Sequence, residues 1–289
     1  MKPPIFDYHV AHSVEEAVAG LGANPGAMIL AGGQSLIPAM NFRLATPVAL
    51  IDINRINDLS RIEIADGWIH VGATVRHRDL ELDEAVHRAN PLIRRALGHV
   101  AHIPIRNRGT TVGSLCHADA AAEMPMMLLL TGGTVTAHGR AGERVIAAED
   151  FFQFHMTTSR EPDEMIVRAS FPALPKGAGY GFAEFARRKG DYAIAAVGAI
   201  VELGSDGKVA SARLAACGIA SRPVRLAEAE GELVGSRLDE GAIAAAAAAA
   251  AVQVTAPDDS NGTNAYRRHL LASLTRRVLG DAASSAGKA

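Results

Sequence analysis

Apolar residues fall in short runs along the first 175 positions and in helical repeats over the last fifty. Glycine, proline and aspartate mark most of the breaks between them. Met28–Ala31 and Val48–Ile53 are two such runs, the right length for buried strands, and they flank a helical stretch from Ser35 to Arg43. Strand, helix and strand in that order predict a small βαβ-like unit with a glycine-bearing loop where the first strand meets the helix. Ahead of it, Ser13 followed three residues later by Glu16 predicts a capped helix running to about Gly20. Ile62-Glu63-Ile64 and Trp68-Ile69-His70-Val71 alternate around Asp66-Gly67, the strongest hairpin signal in the chain. Asp79–Ala89 and Asn90–His99 read as helices separated at Pro91, and Val135–Ala137, Arg144–Ile146 and Met165–Phe171 read as strands. The middle region is therefore an α+β unit with an antiparallel component.

Two prolines and two glycines in Pro172-Ala173-Leu174-Pro175-Lys176-Gly177-Ala178-Gly179 mark a boundary. The expected domains are residues 1–175, made of units 1–53 and 54–175, and residues 176–280. Gly177, Gly179 and Gly181 are not a dinucleotide fingerprint, because a strand pattern rather than a helix follows them. Ala195–Leu203 and Lys208–Gly218 alternate around Ser205-Asp206-Gly207 as a second hairpin. Glu240–Val254 contains eight consecutive alanines, Ala244–Ala251, and reads either as a helix lying close against a neighbour or as a low-complexity spacer. Tyr266–Leu279 repeats at helical spacing with Arg267, Arg268, Arg276 and Arg277 on its polar side, expected in solvent or at a subunit contact. Residues 281–289 read as a disordered tail.

The chemistry of the chain is concentrated in two loops. In Ile29-Leu30-Ala31-Gly32-Gly33-Gln34-Ser35-Leu36 a buried strand breaks into two glycines and small polar donors, a sequence suited to bringing backbone N–H groups up to an anion. A plain turn after a strand gives the same pattern. From Arg106 to Pro125 the chain again combines glycines, hydroxyls and carboxylates. Thr110, Thr111, Gly113 and Ser114 offer donors for phosphate oxygens, while Asp119 and Glu123 are acceptors suited to sugar hydroxyls, a division of labour that fits a dinucleotide. The alternative is a tight loop in which Asp119 or Glu123 caps the helix carrying Met124–Leu130.

Composition narrows the function further. Basic and acidic residues number 29 and 31, are scattered, and accompany only 4% aromatics, which argues against nucleic acid as a partner. The N-terminus has no secretory apolar region, and outside the alanine tract the longest apolar run, Met124–Leu130, is far too short to span a membrane, so a soluble, cytoplasmic protein is expected. Cys116 and Cys217 have no metal-ligand spacing. His99 and His102 have a spacing that places them together on a helix but lack a carboxylate partner, so no metal site is expected. No nucleophile triad, Walker loop or zincin motif appears.

Phe6-Asp7-Tyr8, Ala31–Leu36, Arg43-Leu44 with Pro47, Ile51-Asp52-Ile53 and Gly72-Ala73-Thr74 occur in this order. They are followed by Ile105–Thr110, His117-Ala118-Asp119, Arg188-Lys189-Gly190-Asp191-Tyr192-Ala193 and Tyr266–Leu270. In this series the chain resembles the FAD-binding medium subunits of the molybdenum hydroxylases, the group that includes xanthine dehydrogenases, carbon monoxide dehydrogenase and N-heterocycle hydroxylases. The resemblance covers nearly the whole chain. It implies an α+β fold: a two-part FAD-binding domain (a small βαβ unit plus a mixed or antiparallel sheet unit), then a C-terminal antiparallel sheet with helices.

By the same resemblance, the pyrophosphate loops are Ala31–Ser35 and Thr110–Ser114, and Ile29–Leu36 with Thr110, Thr111, Gly113 and Ser114 would bind the FAD. His117, Asp119 and Glu123 would line the cofactor, and Lys189 and Tyr192 would lie beside the flavin ring. Val112 departs from the family's paired glycines and is expected to keep negative φ; Ala120 replaces a frequent proline. Two cysteines cannot ligate the paired [2Fe–2S] clusters of such enzymes. The resemblance therefore implies that those clusters lie on a small iron–sulfur partner and the molybdenum cofactor on a large one, in a dimer of heterotrimers. This chain would pass electrons from the clusters to an external acceptor. A self-contained flavoprotein acting on small alcohols or hydroxy acids, and a non-enzymatic phosphate-ligand module, are the alternatives. Carbon monoxide, purines, other N-heterocycles and aldehydes are all compatible substrates of the complete enzyme.

Overall fold

The computed structural model describes residues 2–287. Its first unit is a parallel sheet of β1 (Asp7–Val10), β2 (Met28–Leu30) and β3 (Ala49–Asp52) in the order β1-β3-β2, with α1 (Val14–Ala23) and α2 (Leu36–Asn41) in the connections. The predicted βαβ unit is β2-α2-β3. At the start of α1, Ser13 accepts from the N–H of Glu16, and the Glu16 carboxylate accepts from the N–H of His12 at 2.7 Å. One free donor of the first turn and one just ahead of the cap are satisfied in this way. α1 then buries Ala17, Val18 and Leu21.

The second unit contains β4 (Ile62–Ala65), β5 (Trp68–Gly72), α3 (His77–Leu82), α4 (Glu84–Ala89), α5 (Pro91–Leu97), α6 (Ile103–Arg106), α7 (Thr111–His117) and α8 (Glu123–Thr131). It continues with β6 (Thr134–Gly139), β7 (Gly142–Ala147), α9 (Ala148–Phe151), β8 (Phe152–Phe154), β9 (Thr157–Thr158) and β10 (Met165–Pro172). Its main sheet is antiparallel, in the order β4-β5-β10-β6-β7. The β4–β5 turn has positive φ at both Asp66 and Gly67, the conformation an Asp-Gly hairpin favours. The single helix expected over Asp79–Ala89 is two. Asp83 ends α3, and its carboxylate accepts from the N–H groups of Ala85 and Val86 to start α4. α8 is buried along its whole length, which explains an apolar run with no polar face.

The third unit is an antiparallel sheet of β11 (Gly179–Phe185), β12 (Ala195–Leu203), β13 (Val209–Cys217) and β14 (Val224–Arg225), covered by α10 (Ala227–Leu233), α11 (Glu240–Gln253) and α12 (Asn264–Ser285). Gly179 and Gly181 let α12 lie directly on β11: a Cβ at either would stand 2.2 or 2.3 Å from the carbonyl oxygen of Ala282 or Val278. The alanine tract forms the middle of α11, with Ala246, Ala247 and Ala250 buried. On the other side, α8 packs against β12 at Gly198, and Arg213 of β13 donates to the carbonyls of Leu129 and Leu130 at its C-terminal end.

Two expectations fail here. Residues 281–285 are helical and tied down: the Ser285 hydroxyl accepts from the N–H of Tyr180, and the N–H of Gly287 donates to Gly177. Residues 288 and 289 lie outside the described residues. Arg267 is buried rather than solvated. It forms a two-pronged bond to Asp259, with both distances 2.7 Å, and donates to the carbonyls of Ile194 and Gly218. Helical spacing alone placed it on the polar side, but the loop after α11 folds back to meet it. Arg276 and Arg277 are exposed. Arg267→Met leaves those carbonyls unsatisfied and is expected to lower stability by about 3 kcal/mol in urea denaturation. A loss below about 1 kcal/mol would contradict this role.

Candidate functional site

The loop after β2 is positioned by its glycines. Gly33 has φ +70°, and a Cβ on Gly32 would stand 2.4 Å from the carbonyl oxygen of Arg108 and 2.7 Å from the Cα of Gly109. Only a residue without a side chain lets the first loop touch the second. Among the described residues, the N–H groups of Gly32, Gly33, Gln34 and Ser35 donate to no protein acceptor, while the Gln34 amide donates to Gly32 O. All of Ile29–Leu36 is half-buried. The result is an open row of backbone donors, of the kind that holds phosphate oxygens.

Two residues that sequence reasoning missed brace the contact. The Asn54 amide donates to the carbonyl of Ala31 at 2.9 Å and to the carboxylate of Asp52 at 2.7 Å, and its oxygen accepts from Arg76. The other arm of Arg76 donates to the carbonyl of Arg108 at 2.7 Å. Asn54 and Arg76 thus join the strand end of the first loop to the backbone of the second. Each follows a motif already singled out, Ile51-Asp52-Ile53 and Gly72-Ala73-Thr74, which is the signal that points to them.

The second loop is the start of α7. Thr110 is buried, and its hydroxyl accepts from the N–H of Gly113 as an N-cap. Thr111 is turned inward, with its hydroxyl 3.2 Å from Nδ1 of the buried His77 and its N–H on Val75, so its side chain does not face the cleft as expected. Burial, reinforced by the charge of Arg106, lowers the His77 imidazole to about 4 and keeps it neutral. Val112 is the second residue of α7, with negative φ and its side chain in the core. Gly113 and Ser114 are half-buried, as is His117 at the other end of the helix.

Past the left-handed residue Ala118, Asp119 accepts from the N–H of Ala121, and Glu123 opens α8 with its carboxyl against that of Glu184. Burial first, and Glu184 second, push the Glu123 carboxyl well above the usual carboxylate range. The turn between β11 and β12 brings the third segment. Gly190, with φ +87°, packs on Ala101 and His102, where a Cβ would be 2.7 Å from the imidazole. Two residues on, Tyr192 is about half exposed, with its phenol near Ser35, Asp119 and Glu123. Its partial burial and these two acids raise it to about 12. Lys189 is exposed beside it. His99 and His102 do not share a helix: α5 ends at Leu97, His99 turns to Glu184, and His102 precedes α6. The sequence carried no signal for Glu184, and it offered His99 only as a metal partner of His102, a role the structure does not support.

The described surface also has a hollow of about 460 Å³ around Arg187, Arg188, Asp191 and Tyr192, at the mouth of this site. No helix among the described residues is long and apolar enough to cross a membrane.

Residues 4–174 match the family model described as the FAD binding domain in molybdopterin dehydrogenase, and residues 180–282 match the CO dehydrogenase flavoprotein C-terminal domain. The chain is 42% identical to the 6-hydroxypseudooxynicotine dehydrogenase complex subunit alpha of Paenarthrobacter nicotinovorans, over 98% of this chain and 96% of that one. It is 34% identical to the carbon monoxide dehydrogenase medium chain of Afipia carboxidovorans, over 96% and 97%. Among solved structures, quinoline 2-oxidoreductase from Pseudomonas putida 86 matches with a TM-score of 0.94 and 38% identity over 98% of this chain and 99% of that one. The carbon monoxide dehydrogenase of Hydrogenophaga pseudoflava matches with a TM-score of 0.96 and 33% identity over 99% and 100%.

Gly32→Ala drives the two loops apart, and overpacking of this kind costs about 1–3 kcal/mol. The variant is expected to fold but to retain less than half the FAD per chain of the wild type. Gly231→Ala, where nothing lies within reach of the added Cβ, should keep it all. Equal flavin content in both variants would contradict the role given to Gly32.

Proposed function

The chain belongs to the family of FAD-binding medium subunits of the molybdenum hydroxylases, and on that premise we propose that it is the electron outlet of a multi-subunit hydroxylase or dehydrogenase. One observation carries this reading: three segments far apart in sequence converge on one cleft. The open N–H row of Gly32–Ser35 suits a pyrophosphate, the acids Asp119 and Glu123 suit sugar hydroxyls, and Tyr192 stands near Ser35 and both acids. The residues fit FAD at both its charged and its hydroxyl-bearing parts. When bound, FAD supplies exchange between electrons arriving singly and the demand of the final acceptor.

The chain's own residues hold and tune that group. The backbone donors of Gly32–Ser35 fix the phosphates, with the Ser114 hydroxyl beside them on the second loop. Lys189 would place a positive charge near the bound ring and favour electron density there. Tyr192 would cover a face or edge of the ring and restrict the acceptor. Cys116 and Cys217 are too few thiols to ligate paired [2Fe–2S] clusters; membership of the family implies that those clusters lie on a small partner chain and molybdenum on a large one, in a dimer of heterotrimers. The relatives' names support partners of this kind, since they denote subunits of complexes.

Purification of the chain from its native cells through a C-terminal tag is expected to bring FAD with two further polypeptides, one rich in iron and one in molybdenum. A solitary chain without flavin would contradict the proposal. In such a complex, Lys189→Met is expected to lower the flavin midpoint potential by about 20 mV, the two-electron equivalent of roughly 1 kcal/mol from a solvated neighbouring charge. An unchanged potential and an unchanged reoxidation rate would remove Lys189 from the electronic role.

A further inference from the structure

Glu123 and Glu184 meet across the junction of α8 and β11. Glu123 is 4% exposed and the Glu184 side chain 2%. Glu184 stands in register with Ala196 and, through it, with Cys217, whose thiol reaches Ala121 two residues before Glu123. The two carboxyl groups therefore share one side of the junction, close enough for Glu184 to act on Glu123. Two ionised carboxylates in such a space would repel each other and lose their hydration together. An acid and a carboxylate bound through one O–H satisfy both. Oε2 of Glu184 has no protein hydrogen-bond partner, and Oε1 faces Nδ1 of His99 at 3.5 Å. Three further groups face the pair: Asp119, which adds negative charge; the phenol of Tyr192; and the thiol of Cys217, which donates to the carbonyl of Ala121 and is held neutral by burial. His99, its side chain 43% exposed, sits tilted against Phe182 and leads from the pair to solvent.

We propose that Glu123 and Glu184 hold one proton between them at neutral pH, that this limits the pair to a single negative charge at the edge of the cofactor cleft, and that His99 is the route by which the proton exchanges with water. The role toward the cleft rests on Glu123 being a contact of the FAD. Glu184 is then a positioning residue that acts through Glu123. On deprotonation the O–H bond of the pair breaks, the proton passes by way of His99 to solvent, and no electron moves.

The sign of the linkage follows. Burial and the neighbouring acid raise Glu123 from 4.5 to about 8. The folded chain therefore keeps a proton that the unfolded chain loses near pH 4.5. The pair's contribution to stability is full below about pH 4.5, falls as pH rises, and is gone above about pH 8.

Infrared spectroscopy of the full chain tests the shared proton directly. A protonated-carboxyl band is expected at pH 7 and should vanish as pH rises through about 8. In Glu184→Gln, which removes the like charge, the band should titrate about one pH unit lower. Absence of the band from the wild type at pH 7, or an unmoved titration in the variant, would overturn the pairing. If the variant does not fold, the wild-type titration alone decides.

FAD titrations on the same two proteins test the role toward the cleft. The wild-type Kd should rise up to tenfold per pH unit above about pH 8, and the variant's rise should begin about one unit earlier. Coincident Kd profiles alongside a shifted band would overturn that role alone. No FAD binding at any pH would instead overturn the reading of Glu123 as a cofactor contact.

Discussion

The site depends on the close approach of two backbones at Gly32. Because that residue has no Cβ, the loop after β2 lies against the carbonyl of Arg108 and the Cα of Gly109, at distances that no side chain could share. Asn54 and Arg76 fix the approach with three hydrogen bonds to or between the loops, so the row of free N–H groups at Gly32–Ser35 is held by the structure rather than assembled by a ligand. Preorganised donors of this kind bind an anion without first ordering a loop, and that lowers the entropic penalty of binding. The remaining elements serve this contact. β2 and β3 carry one side, β5 leads to Arg76, and α7 carries the other.

The second constraint is the burial of acids at the junction with the third unit. α8 is enclosed on all sides, yet its first residue is a glutamate, and the segment facing it supplies another. Such groups are tolerated in an interior only when each polar atom finds a partner or a proton. The polar interior of the junction brings Asp119, Glu123, Glu184, His99 and Tyr192 into one electrostatic neighbourhood beside the cleft.

Much of the fold was legible because its strands and helices follow simple periods. The Asp66-Gly67 hairpin, the β2-α2-β3 unit, the β12–β13 hairpin and the alanine helix all appear from local pattern and turn chemistry. β1 was not read as a strand, because the alternation of Asp7-Tyr8-His9-Val10 spans only four residues, all of them exposed. Nor was the burial of Arg267, whose partners Asp259, Ile194 and Gly218 lie on other segments. In the cleft, the glycine loop was visible as a break in an apolar run. Thr111 was misread, because its hydroxyl is directed by His77, 34 residues away. Asn54, Arg76 and Glu184 were missed for the same reason: single polar residues acquire roles only when distant segments reach them. His99 was weighed only as a metal partner of His102. Family resemblance carried the motif at Lys189–Tyr192 further than any local rule, since a Gly-Asp-Tyr turn has no chemistry of its own.

The most direct test of the cleft is an experimental structure of the full chain with FAD added. The pyrophosphate oxygens are expected within hydrogen-bond distance of the N–H groups of Gly32–Ser35, with the sugar hydroxyls facing Asp119 and Glu123. FAD bound elsewhere on the chain, or a loop that keeps its free donors in solvent while FAD is bound, would contradict the assignment of this cleft.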